Sequence, residues 1–511
     1  MKKSILILML SFLSIESALT ATDLKPASTV NNTRVNDAIR NFVALCFSGK
    51  DLEAIKLALA STELDVNTKS PTGDTGLIIA SERGNIEVIK LLLTHPSIDL
   101  NLRNEDGNSA LVISIAKGQI EATKLLLSQK EIEVNGSQGI DDIPITTAAE
   151  YNQIEALKLL LAHSDIDANG IRRLGRTALQ VAASKGHIQI IKILLSRDEI
   201  EVNKAVNTGY TALLIASRSN FPKVVELLLA HDDILVNLVN FRGKTALTEA
   251  ATKGHIQVLK QLMNHPKINI NQNTEDSKEK TPLMLASENF HHKAVAILLR
   301  HPNINLNLMD AEGYPLLVFM AKRGQNIIVE LLINHPNLDV NVLASSGSTA
   351  LIKASKFSHL KILSLLLRHD EIDINLKNKK GMTALMMAIQ KDQERVATML
   401  LGHEGVNVNL KSTKFGFFPL NFAARKGKTN FVEMLLSHPK ILVNQVDTAG
   451  MSSLIVSSYF GYADIVKLLL QAPGIDHTIK DFSDHMTALE WAQNRSRNEI
   501  VAILNEAGIL E

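Results

Sequence analysis

An eleven-residue phrase, LLLTHPSIDLN at Leu91–Asn101, returns as LLLAHSDIDAN from Leu159, LLLAHDDILVN from Leu227 and LLINHPNLDVN from Leu331. Repetition at a fixed period constrains the fold more than any other feature. A short unit cannot bury its own apolar face and must hand it to a copy of itself. The unit starts fall at Thr75, Ser109, Ile143, Thr177, Thr211, Thr245, Thr281, Pro315, Thr349, Thr383, Phe418, Ser452 and Thr487. Of the twelve intervals nine are 34 residues, two are 35 and one is 36, the extra pair lying between Gln272 and Thr281. Residues 35–70 read as a degenerate capping unit, 71–480 as the repeats and 481–511 as the closing cap.

Gly175–Asn203 shows the grammar of one unit, GRTALQVAASKGHIQIIKILLSRDEIEVN. The Thr177 hydroxyl can accept from free first-turn amides, so a helix starts there. Leu179, Val181, Ala182 and Ala183 give that helix small and apolar contacts, and Gly186 ends it. A second helix is expected from about Ile188 to Leu195. Helices this short do not survive alone in water. They become stable when neighbouring copies cover them.

The repeated phrase then reads as a joint. Histidine follows the leucine-rich helix in nine of the eleven units from Thr75 to Phe418, at His95, His163, His231, His265, His301, His335, His369, His403 and His438. Five are followed by proline, which stops a helix. The histidine is expected to donate to the unpaired carbonyls of the last turn. Apolar residues then alternate, as at Ile98 and Leu100 or Ile372 and Ile374, which suggests an extended segment with one buried side. The closing asparagine occurs twelve times running from Asn67 to Asn444. Its side chain is expected to bond loop backbone and tie each turn to the next.

These features resemble ankyrin repeats. The matching residues are the GRTALQVAA and KTPLMLA starts, the KGHI at Lys185–Ile188 and Lys253–Ile256, and the terminal Asp-Val-Asn, over about residues 35–511. The resemblance implies an all-α solenoid of stacked helix-turn-helix units with β-hairpin-like loops. The family usually runs 33 residues with glycine after the second helix. The longer HPxID loop here is expected to change loop shape and curvature, not the fold. Tetratricopeptide arrays also repeat at 34 residues, but the extended segment and its turn argue against them.

Bulk properties narrow the function. A formal net charge of +1 gives no general attraction to nucleic acid. Cys46 is the only cysteine, which excludes an intramolecular disulfide and a Cys-rich zinc site, and its apolar neighbours suggest a buried structural thiol. Residues 1–21, MKKSILILMLSFLSIESALTA, have the layout of a secretory signal. Residues 22–34 then form a linker. The apolar run from Ile5 to Ile15 is about half of the ~20 residues a membrane span needs, so no stable span is expected after cleavage.

Stacked helices sit ~8–10 Å apart, too far for successive histidines to share a zinc. His291 and His292 read as ordinary surface residues. No nucleophile elbow, phosphate loop or zinc-protease motif occurs. Glu82, Glu150 and Glu288 lie on separate units. The chain is therefore read as non-enzymatic, without catalytic residues, metal or cofactor.

The resemblance implies that a protein partner meets the hairpin tips and first helices. Eight of the thirteen residues just before the turn glycine are basic, including Lys185, Lys253 and Arg323, a cationic stripe. Phe415 and Phe417 on a hairpin tip, with Tyr459, Phe460 and Tyr462 around a helix end, form a candidate contact patch. A third candidate is the basic tip with Arg172, Arg173 and Arg176. The expectation is a monomeric, exported binder of a protein, secreted or periplasmic. The Lys-Lys start and the Ile/Lys/Asn-rich wording resemble secreted bacterial ankyrin proteins, which implies a host-directed role; a periplasmic adaptor is the alternative.

Overall fold

The computed structural model describes residues 37–38, 40–136, 143–171, 175–205, 207–276 and 278–509. Among these it contains 28 helices, arranged as successive short pairs, and no sheet. Two units are distinguished, one ending at Asn207 and one beginning at Thr208. The first holds five helix pairs, from Phe42–Ser48 to Ile188–Leu195; the second holds nine, from Ala212–Ser219 to Asn498–Glu506.

Local chemistry sets each pair. Thr177 accepts from the Gln180 amide while the Gln180 side chain accepts from the Thr177 amide, a reciprocal cap on Ala178–Lys185. Thr487 and Glu490 repeat that arrangement at Ala488–Asn494. The starts without a hydroxyl, Ile143, Pro315 and Phe418, have no side-chain cap. Gly186 closes its helix at φ 76°, where an L side chain would be strained. The second helix, Ile188–Leu195, has the bounds its sequence suggests.

Packing explains why the pairs persist. Ala178 to Ala183 are all buried, so this helix is covered on every side. Within each unit the second helices pack in series, and the first helices do likewise at nearly every junction. Most second helices bury two or three large apolar side chains, such as Ile190, Ile191 and Leu194. Full burial of such a side chain contributes roughly 1.5–3 kcal/mol. That exceeds what an eight-residue helix gains alone.

The asparagine expectation holds in both units. Asn67 donates to the Ser97 carbonyl (2.8 Å) and accepts from the Asp99 amide (3.0 Å). The same two bonds recur at Asn101, Asn135 and Asn169, and at Asn237, Asn271, Asn341, Asn375, Asn409 and Asn444. Asn307 departs: its Oδ1 is buried without a partner. There His335 Nε2 lies 3.1 Å from the Leu299 carbonyl instead. At this junction Pro282–Glu288 and Leu316–Arg323 also lack the close approach seen between the other first helices of the second unit, among the described residues.

Three expectations need correction. All nine histidines accept at Nδ1, which receives the amide two residues on at 3.2–3.3 Å; among the nine, His335 alone also donates from Nε2 to a helix-end carbonyl, that of Leu299. The helix carbonyls are met by backbone, as where the His95 amide donates to Leu92, leaving the ring free to hold the loop. The stretch after the histidine opens with a turn, and no strand forms there among the described residues. Ile98 donates back to the His95 carbonyl (3.1 Å), because the chain reverses at once after the helix. Alternation survives, with Ile374 and Leu100 buried and Ile372 and Ile98 half-buried. Strand-like pairing instead occurs as isolated bridges at hairpin bases, such as Lys69 with Thr75 and Val446 with Ser452.

The third correction concerns His291, which is no ordinary surface residue. Its Nε2 lies 3.1 Å from the Thr252 carbonyl, and its ring sits against Gly254, where a Cβ would come within 2.7 Å. His187, His255 and His359 make the same reach to Glu150, Arg218 and Lys322.

Candidate partner-binding surface

The first helices end, and the hairpin tips project, where side chains are least committed to stacking. The cationic stripe is not uniformly available there. Lys117 pairs with Glu82 at 2.9 Å and Lys185 with Glu150 at 3.6 Å. Arg83 lies 3.9 Å over the Phe47 ring and Arg323 5.3 Å over Phe319. Lys253 is exposed at its helix end. Glu288 pairs with Lys280, so all three first-helix glutamates singled out above are engaged by cations. Arg176 is half-buried; Arg172 and Arg173 lie outside the described residues.

The aromatic residues, by contrast, are brought together. Phe415 stacks on Phe417 with centroids 5.2 Å apart. The Arg425 guanidinium lies 4.6 Å from the Phe417 ring centre and 5.6 Å from that of Phe460, bridging two repeats. Phe460 meets Tyr459 at 5.0 Å and Tyr462 at 6.1 Å. Tyr459 meets Trp491 edge-on at 5.0 Å and lies 4.2 Å under Arg495, which also donates to the Tyr459 hydroxyl. Tyr462 covers Gly427, leaving no room for a side chain. The two clusters are thus one ladder of rings and guanidinium groups from Phe415 to Arg495. Phe415 is the exposed end; Phe417, Tyr459, Phe460 and Tyr462 are half-buried. Rigid, partly exposed rings beside Arg are the residues that dominate protein interfaces.

Sequence reading missed the bridging role of Arg425 and the anchor at Trp491. The recurrence of basic residues near helix ends and the single tryptophan were the available signals. It also missed the side chains that shape the tips. Asn378 Oδ1 accepts from Lys380 and Met382, and Asp447 from Ala449 and Met451. Asp481 does the same for Met486 and also takes the Trp491 indole N–H (3.1 Å). Burial alone would raise the Asp481 carboxyl. Bonds from Ser483, the Asp484 and Met486 amides and Trp491 outweigh it and hold the group well below the usual carboxylate range.

The Cys46 thiol is fully buried, and burial pushes it up to about 12, so it stays protonated. Tyr210 donates to Glu249 (2.8 Å) and accepts from Arg218 (2.9 Å); burial and then Glu249 raise its pKa. Among the described residues no group of three His, Cys, Asp or Glu side chains is placed to hold a metal ion, and no helix is long and apolar enough to cross a membrane.

Stacked helix pairs joined by asparagine-tied turns, with side chains presented at helix ends and tips, define a repeat protein of the helix-pair class. The family model for ankyrin repeats, in sets of three copies, matches residues 42–138, 145–240, 233–310, 317–412 and 404–481. The chain belongs to the ankyrin repeat family, whose members are generally protein–protein interaction modules. Among solved structures it is similar to the ankyrin repeat domain of Bcl-3, described as a unique member of the IkappaB protein family. The identity is 26% over 45% of this chain and 99% of that one, with a TM-score of 0.41. No curated protein matches the chain.

Proposed function

We propose that this protein is a non-catalytic scaffold that grips a protein partner on the Phe415–Arg495 face. One observation carries the reading. Arg425 holds the rings of Phe417 and Phe460, Arg495 holds that of Tyr459, and Tyr462 stacks on Phe460, yet all four rings remain only half-buried. Pre-ordered rings lose little entropy when a partner covers them. Lys185, Lys253, Arg323 and the Arg172, Arg173 and Arg176 tip are assigned secondary contact roles.

We further propose export through residues 1–21, with a secreted bacterial, host-directed binder as the working identity. The Lys2–Lys3 start and the Ile5–Ile15 apolar run support it. A photo-crosslinking residue at Phe460 should form an adduct with a defined partner, and Tyr459→Ala with Phe460→Ala should remove capture while circular dichroism shows the helices intact at the assay temperature. Capture that survives both substitutions would sink the surface assignment. Fractionation of cells expressing the chain with and without residues 1–21 tests export separately. Equal retention inside the cell would refute it.

A further inference from the structure

Beside the exposed end of the ladder lies a groove of about 780 Å³, formed by the helices Ala350–Phe357, Ala384–Gln390 and Pro419–Arg425 and their tips. Its charge is one-sided. Lys353, Lys356, Lys379, Lys380, Lys391 and Lys414 line it, and no Asp or Glu does. Among the described residues none of the six lysines forms an ion pair with a carboxylate. Elsewhere lysines at comparable positions do, as Lys117 and Lys185 show. The chain carries a net charge of only +1, so this concentration is local.

Two further features shape the groove. Lys353 is buried at 9% exposure, next to Lys356 and Lys322. Burial, together with those two cations, pushes its ammonium below the usual lysine range despite the nearby Tyr314 hydroxyl. A buried cation without an anion is destabilising, and a bound carboxylate relieves it. The floor is apolar: Met382, Met387 and Phe422 are largely buried but reach the groove, beside Phe417. Thioethers adapt to varied side chains.

We propose that this groove receives an extended acidic segment of the partner protein, a reading that rests on the scaffold function above. Successive repeats are ~8–10 Å apart, and an extended peptide of the polyproline-II kind rises ~3.1 Å per residue and returns to the same face every third residue. Carboxylates three residues apart therefore meet lysines of consecutive repeats, Lys379 and Lys380 on one tip and Lys414 on the next. An apolar side chain between them falls on the methionine and phenylalanine floor. A polypeptide is favoured over nucleic acid because the groove pairs its lysines with an apolar floor that takes an apolar side chain, on a chain whose net charge is only +1.

The test is a fluorescence-anisotropy titration of the full chain. The probe is a labelled twelve-residue peptide of four Glu-Leu-Gly triplets. The comparators are its Gln-Leu-Gly counterpart and a twelve-residue oligothymidylate. The Glu peptide should bind at least tenfold more tightly than either and weaken as salt rises. The combined variant Lys379→Gln, Lys380→Gln, Lys414→Gln, confined to exposed tips, should lose at least tenfold, while the charge-matched control Lys90→Gln, Lys124→Gln, Lys158→Gln, on exposed second-helix faces of the other unit, stays within twofold. Equal binding of the Gln peptide, equal or tighter binding of the oligothymidylate, or no binding at all would overturn the proposal. Loss of peptide binding with crosslinking at Phe460 intact would refute the groove alone; loss of the crosslink with peptide binding intact would refute the ladder.

Discussion

Asn341→Ala gives the sharpest test of the inter-repeat joint, because Asn307 is a control within the same unit. Asn341 donates to the Glu371 carbonyl at 2.7 Å and accepts from the Asp373 amide at 2.9 Å. Each bond contributes a net 0.5–1.5 kcal/mol, roughly. Both are solvent-exposed, so the freed groups rehydrate and the loss falls near the lower half, about 1–2 kcal/mol in all. Asn307 Oδ1 is buried with no partner. Its removal should cost about 0.5 kcal/mol or less, or stabilise, because an unsatisfied buried polar atom is itself a penalty. Long repeat arrays do not unfold in one step, so a global midpoint blurs the effect. Amide hydrogen exchange at Asp373 reads the joint locally. In Asn341→Ala the protection should fall roughly tenfold, the equivalent of about 1.4 kcal/mol. In Asn307→Ala the corresponding amide, Asp339, should barely change. Equal effects at the two positions would refute the claim that these asparagines tie the repeats.

Ser81, Ser217, Ser287 and Ser355 each bury a hydroxyl without a partner in a first helix, where Ala183 and Ala251 stand in other units; Ser→Ala at any of them should stabilise by about 1 kcal/mol, read as slower amide hydrogen exchange in that helix. Phe290 sits at φ 58° with the residue 55% exposed, so Phe290→Gly should raise stability by roughly 1 kcal/mol, read as slower amide exchange in the helices on either side. His265 and His438 have pKa values lowered by burial and then by Lys267 and Lys440. The unfolded chain takes up those protons first, so their contribution is full above about pH 6.5 and lost as pH falls through the lower folded values. Urea midpoints should drop from pH 7.5 to 5.5, and less so in the His265→Gln, His438→Gln variant. Asp481 works at the acid end: its stabilisation is complete above about pH 4 and disappears below it, while Asp481→Asn flattens that limb.

The fold was legible because each unit's grammar is local. Thr177, Gly186 and Ile188–Leu195 set a cap, a stop and a helix within one unit, and the period repeats the result. The asparagine joint was legible for the same reason, since an amide side chain at a fixed loop position needs backbone partners. What was not legible depends on contacts between units. The histidine's direction turned on which groups the reversing backbone had already satisfied. His291 looked isolated because its partner, Thr252, lies 39 residues earlier. Arg425 became a bridge only when stacking placed Phe417 and Phe460 on either side of it. The lysine groove draws on three separate units, so no single stretch of chain announces it.

All of this requires that helix pairs be held by their neighbours. Circular dichroism of an isolated unit, residues 377–409, measures that directly. It contains Ala384–Gln390 and Glu394–Leu401 with their caps and turn but neither adjoining pair. A spectrum of unfolded peptide in dilute buffer is the expected result. A cooperative helical transition for this single unit would contradict it.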